Sequence, residues 1–167
     1  MPKRRKDVII FDAPPVISAW GSAGGKKESE GPLASGFDFI TQDAAFADED
    51  CANWEQAESM LQQKAAGVCL RKAGIAAQDV DLTFAGDLQA QCTASNYTLR
   101  TLATPFAGLY GACSTMTEAL CLGAAFASTG LARQVLAMTS SHFCAAERQF
   151  RTPLEYGAKR TPTAQWT

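Results

Sequence analysis

The sequence has one histidine and no pair of cysteines at CxxC spacing. It also has no apolar run approaching the ~20 residues that cross a bilayer. A zinc centre needs several thiolate or imidazole ligands grouped in space, so one histidine among scattered cysteines argues against zinc. Charge is sparse: charged residues are 19% of 167 and the formal net charge is -2. That argues against a general nucleic-acid binder, which carries a basic face. Hydrophobic residues make up 47%, enough for one globular domain with a substantial core.

The cysteines fall at 51, 69, 92, 113, 121 and 144. Cys113 and Cys121 lie about 12 Å apart along one helix at 1.5 Å per residue, beyond disulfide reach. Scattered cysteines without a secretory signal suggest a reducing compartment. The opening MPKRRK resembles the basic start of a signal peptide, but Asp12, Pro14 and Pro15 interrupt the apolar stretch that follows. It reads as a solvated N-terminus, and membrane association is expected only through a partner or a surface contact.

Residues 1–36 form an expected irregular N-terminal segment, with SAWGSAGGKKESEGPLASG rich in Gly, Ser and charge. The α/β unit is expected over residues 37–167. Its first part is acidic, with Asp43, Asp48, Glu49 and Asp50, but no EF-hand pattern is present, and a solvated loop is the better reading. Asn53 followed by Gln56 predicts a capped helix. Ala57, Met60, Leu61, Ala65, Val68 and Cys69 then recur at helical spacing as its core face, and Gly74 ends it.

DVDLTFAGD (79–87) alternates as a short strand, and a helix from Thr93 or Ser95 through Leu102 follows. PFAGLYGAC from Pro105 reads as a second strand. The segment 114–129 is apolar almost all round, the mark of a helix in an interior, with Gly130 as its stop. VLAMTSSHF (135–143) reads as a third strand, and AERQFRTPLEYGAKRTPTAQWT as a charged, irregular tail. TAQWT ends as though a further strand were to follow. Helix and strand patterns alternate, so the fold class expected is α/β with helical crossovers. No internal repeat is found.

Cys113 stands where an apolar strand ending in Gly-Ala meets the buried helix. A helix start supplies unpaired N–H groups and partial positive charge, both favouring a thiolate. The same geometry holds a carboxylate ligand without chemistry, and a free cysteine is also a common small core residue. His142, at the end of the third strand, is the available base. It either pairs with Cys113 or hydrogen-bonds to backbone.

The motifs NWEQAE, AGDL, GLYGACSTM, TSSHF, AERQFR, PLEYG and TAQWT together resemble the stage V sporulation protein AD family, from about Gly31 to Thr167. The resemblance implies a thiolase-like fold. The chain would be one half of the duplicated layered α/β unit, with a mixed sheet and a buried central helix. It implies that Cys113 occupies the superfamily's acyl-accepting position. It also implies that the protein binds dipicolinic acid (pyridine-2,6-dicarboxylate) for uptake into the developing spore, without catalysis and without a cofactor or metal.

Candidate ligand-binding residues are Cys113, His142, Arg148 and Arg151. Arginine forks suit a planar dicarboxylate; the alternative for Arg148 and Arg151 is pairing with Glu147 and Glu155. His142 matches the family's SSH motif and not a superfamily base. The alternative function is acyl transfer at Cys113, as in thiolases or ketoacyl synthases, completed by a C-terminal half absent from this sequence. Implied partners are other proteins of the dipicolinate uptake machinery and a second copy of the chain, with Phe106–Gly108 near the dimer interface. The implied place is the cytoplasm or the periphery of the spore inner membrane.

Overall fold

The computed structural model describes residues 2–43, 51–89 and 92–150, with side chains through Ala146. Its centre is a three-stranded sheet. Strands β1–β4 precede it and are given below; β5 (Leu82–Asp87) lies between β6 (Phe106–Gly108) and β7 (Val135–Ser140), and both neighbours pair with it in parallel. Residues 83–87 are all buried, including Thr83 and Asp87. A parallel strand covered on both faces has no polar side, so the alternation of Leu82 and Phe84 understates how deeply this segment sits.

Two crossovers build the layers. Helix α2 (Thr93–Leu102) links β5 to β6, and α3 (Thr115–Thr129) carries the chain back past β5 to β7. Right-handed crossovers running in opposite directions put their helices on opposite faces, and successive β5 side chains report this. The Phe84 ring meets Phe126 of α3 edge-on at 5.2 Å, whereas Ala85 joins a core with Leu99 of α2 and Ala66 and Leu70 of the first helix. Leu136 and Met138 of β7 complete that core. The expected α/β alternation is therefore present. The sheet was expected to be mixed; its three described strands are all parallel, and TAQWT lies outside the described residues.

Helix α1 (Trp54–Ala73) begins as its sequence predicts: Asn53 accepts from the Gln56 N–H at 2.9 Å, and Gly74 closes it in the left-handed region at φ 69°. The Gln56 side chain reaches back to the Ala52 N–H at 2.8 Å, one residue beyond a capping box. Its buried face differs from the one expected. Ala57 and Val68 are buried, but Met60, Leu61, Ala65 and Cys69 are only half-buried, while Glu58, Ser59 and Gln62 are enclosed. The helix turns a polar stripe toward α2, where Ser59 Oγ lies 3.0 Å from Thr98 Oγ1 and Gln62 Nε2 donates to Ser95 Oγ. Its Ala65–Cys69 side meets the N-terminal segment at Gly21, where any Cβ would strike the Ala65 carbonyl.

That segment is more ordered than expected. Strands β1 (Lys3–Arg5) and β2 (Val8–Ile10) form an exposed antiparallel hairpin. The two-residue strands β3 (Ala23–Gly24) and β4 (Phe39–Ile40) pair in parallel across the expected boundary at residue 36, with 3-10 turns between them. Asp38 pins the segment to α1: it accepts from Ser22 and pairs with Lys72, whose ammonium first of all holds the Asp38 carboxyl below the usual range.

Two more expectations are corrected. The third strand, expected over 135–143, ends at Ser140, and the residues from Ala146, expected as irregular tail, belong to helix α4 (Phe143–Phe150), which starts directly after His142. The apolar helix α3, expected to be buried, hides only Thr115, Ala119 and Gly123; Met116, Leu120 and Cys121 are exposed. The sheet covers one stripe of it, and no other described element covers the rest. Asp43 is described, whereas Asp48, Glu49 and Asp50 lie outside the described residues. No group of three metal-type side chains occurs among the described residues, and no described helix is long and apolar enough to cross a membrane.

The cap yields a direct prediction. Asn53→Ala should lower stability by about 1 kcal/mol, read as a lower urea midpoint at unchanged slope.

Candidate functional site

Parallel strands send all their carboxyl ends to one edge of the sheet, where ligands of open α/β folds bind. Here Asp87 ends β5 beside Ser140 of β7, and helices α2, α3 and α4 all start from this edge. Cys92, the residue before α2, is in the left-handed region at φ 52° and offers no side-chain cap. The buried Asp87 carboxylate supplies it instead, accepting from the Ser95 N–H and Ser95 hydroxyl, both at 2.9 Å, and from the Gln89 N–H at 3.0 Å. An anion at a helix start is favoured by the helix dipole.

A second carboxylate lies nearby. Glu58 of α1 is 1% exposed and accepts from the Ser140 hydroxyl at 2.7 Å. Burial pushes its carboxyl up to about 7; the Ser140 bond and the His142 backbone N–H oppose this, and the negative charges of Asp87 and Glu55 add to it.

Cys113 lies across β5 from this pair, in a 3-10 turn (Ala112–Ser114) that runs into α3. The turn is shaped by close packing. Leu109 N–H donates to the Ala85 carbonyl, and a Cβ on Gly86 would strike the Leu109 carbonyl and crowd Thr115. Buried Thr115 staples the turn, its hydroxyl accepting from the Gly111 N–H and donating to the Ala112 carbonyl. Ala112 is held at φ 48°, a left-handed conformation that costs an alanine of order 1 kcal/mol. The effect is to leave Cys113 exposed at the edge. Cys92 is buried beneath the same loop, donating to the Leu109 carbonyl at 3.0 Å, and burial pushes its thiol up.

His142, 5% exposed, follows β7. Its Nδ1 accepts from the Cys144 N–H at 3.3 Å, its carbonyl accepts from the Ala146 N–H, and its ring stacks on Phe143. The histidine thus serves the start of α4, the backbone alternative of the two left open by the sequence. Cys113 and His142 stand at the same edge, on opposite sides of the β5 end. Arg148 lies on α4; Arg151, Glu155 and the side chains of Arg148 and Glu147 are outside what is described.

Glu58, Asp87 and Gln89 are not among the site residues expected from the sequence. Asp87 had a visible signal, an Asp directly after the buried run TFAG. Glu58 closes the motif NWEQAE, but nothing in its spacing marked it as buried, because a glutamate one turn into a capped helix reads as solvated.

Gly86→Ala should cost about 3 kcal/mol, the upper end for overpacking, because backbone on the Leu109 side cannot yield. Gly25→Ala, with nothing within 4 Å of its Cβ, should stay within about 0.5 kcal/mol of the parent. Urea unfolding of the two variants side by side checks both.

The Stage V sporulation protein AD (SpoVAD) family matches residues 5–167. Stage V sporulation protein AD of Bacillus subtilis (strain 168) is 41% identical over 162 residues, covering 97% of this chain and 47% of the relative. The chain thus spans about half the length of that curated relative. Among solved structures, 3-oxoacyl-[acyl-carrier-protein] synthase III from Aquifex aeolicus VF5 aligns with 53% of this chain and 30% of its own, at 21% identity and a TM-score of 0.48. With nearly its whole length matched, the chain belongs to the stage V sporulation protein AD family, a family of sporulation proteins.

Proposed function

We propose that this chain contributes a non-catalytic binding site for dipicolinic acid, serving its uptake into the developing spore. The observation that carries the reading is the family match across residues 5–167. The sheet edge supports it chemically. The starts of α3 and α4 gather there, beside the α2 start that the Asp87 carboxylate already caps, and helix N-termini favour anionic ligands. Cys113 and His142 flank the site from either side, and Arg148 and Arg151 are the proposed partners of the ligand carboxylates. Other proteins of the uptake machinery and a second copy of the chain are the proposed partners. In support of the latter, β6 (Phe106–Gly108) is an outer strand of the described sheet, and strand edges invite pairing.

A second reading is favoured by one observation, the exposed Cys113 sulfur in a strained turn at the head of α3. It assigns Cys113 as the nucleophile of an acyl transfer, completed by residues beyond this sequence.

A thermal unfolding scan with and without dipicolinate tests the first reading. Binding to the folded chain alone should add about 2.7 kcal/mol at a hundredfold excess over Kd, and Cys113→Ala should diminish that shift. A transition indifferent to the ligand speaks against the reading. Incubation with acetyl-coenzyme A separates the two: unchanged intact mass fits binding, and an acetyl adduct lost in Cys113→Ala fits transfer.

A further inference from the structure

The polar stripe of α1 contains a mismatch that a proton would resolve. Glu58 Oε2 and Gln62 Oε1 are both buried, and neither accepts a hydrogen bond from any described group. Both are acceptors when Glu58 is ionised. Residues four apart on a helix are neighbours on one face, so the two orphaned oxygens sit in the same enclosed stripe. The rest of each side chain is engaged: Glu58 Oε1 by the Ser140 hydroxyl at 2.7 Å, and Gln62 Nε2 by Ser95 Oγ at 3.2 Å.

The groups facing this pair offer no described cation. Asp87 comes from β5 and Glu55 from α1 itself, both negative. From the β7–α4 junction come the Ser140 hydroxyl and the His142 backbone N–H, both bonded to the Glu58 carboxyl and both favouring its ionised form, while the His142 Nδ1 accepts from Cys144; Glu147 and Arg148 of α4, which packs on α1, have side chains outside what is described. From α2 come the hydroxyls of Ser95 and Thr98, while Tyr97 and Arg100 are exposed. Lys64 of α1 is turned to the Phe39 ring.

We propose that below neutral pH Glu58 is held as the neutral acid, its Oε2–H donating to Gln62 Oε1, and that this proton latches α1 to the β7–α4 junction. One proton turns an acceptor into a donor and satisfies both oxygens. It also removes a second negative charge from beside Asp87, in a buried place where like charges cannot both be well solvated. Burial raising the Glu58 carboxyl to about 7 agrees with this arrangement. Through Ser140, the latch bears on the residue two before His142. It is independent of any ligand, so it stands or fails apart from the dipicolinate reading.

Burial pushes the folded Glu58 carboxyl from an ordinary 4.5 up to about 7, so by linkage the folded chain binds more protons than the unfolded one between these values. Stability from this group is full below the unfolded value and falls as pH rises through the folded one. The test is urea unfolding of the whole chain between about pH 4.5 and 8, parent against Glu58→Gln, whose amide mimics the neutral acid and cannot ionise. The parent's folding constant should fall relative to the variant's by up to about tenfold per pH unit, levelling above pH 7. A flat difference overturns the proposal, and so does one that rises with pH, as a cation paired with Glu58 would produce.

Should the variant not fold, infrared spectra of the parent carrying 13C-labelled glutamate give the answer without it. A protonated glutamate carbonyl band at pH 6, lost on unfolding or on raising the pH, is expected. Its absence in the folded chain overturns the proposal.

Discussion

The geometry of the sheet edge depends on the Asp87 carboxylate. It sits at the end of the most buried strand, caps a helix whose preceding residue Cys92 cannot, and ties that helix to α1 through the Ser95 hydroxyl. An unpartnered buried carboxylate would cost several kcal/mol; three hydrogen bonds and a helix start offset that cost. Once Asp87 is anchored, β5 has a definite end, α2 a definite start, and Ser140 of β7 a fixed neighbour. Glu58 then completes a ring of polar contacts joining α1, α2, β5 and β7, in a layer that apolar packing alone would leave free to slide.

The opposite side of β5 is governed by steric contact and not by charge. Gly86 lets the Leu109 carbonyl come down onto the strand, and Thr115 folds the chain back over Gly111. These contacts force Ala112 into the left-handed region and lift Cys113 into solvent. A cysteine positioned this way presents its sulfur without being gripped, which suits a lining residue of a binding site as readily as a nucleophile. The two sides of β5 therefore contribute different chemistry to one edge: a polar latch near His142 and an open thiol near α3.

Helix α3 shows what a single layer of cover does to an apolar helix. Thr115, Ala119 and Gly123 face inward at a spacing of four, and Gly123 admits Val135 of β7 closely. Small residues on this stripe let the helix lie flat on the sheet, while its larger side chains, Met116 and Leu120, point away from it. A helix apolar on every side belongs to an interior, and the described layers enclose one side of it.

Much of this was legible in order along the chain. Asn53 and Gly74 delimit α1, Gly130 ends α3, and the alternation of helices with short apolar runs announces parallel strands, because each of these signals is local. Motifs such as GLYGACSTM and TSSHF identified the family and pointed to Cys113 and His142. What lay beyond the sequence is what depends on neighbours distant in the chain. The burial of Glu58 comes from α1 packing against β7, and Met60 and Leu61 looked like core until the enclosed face proved polar. The residues from Ala146 looked like loop and belong to helix α4. By itself the sequence determined family membership, the α/β alternation and the ends of α1 and α3, since caps, glycines and periodicity act within a turn or two. Tertiary structure alone decided which carboxylates are buried and which thiol is exposed, since burial is a property of what the rest of the chain places on top.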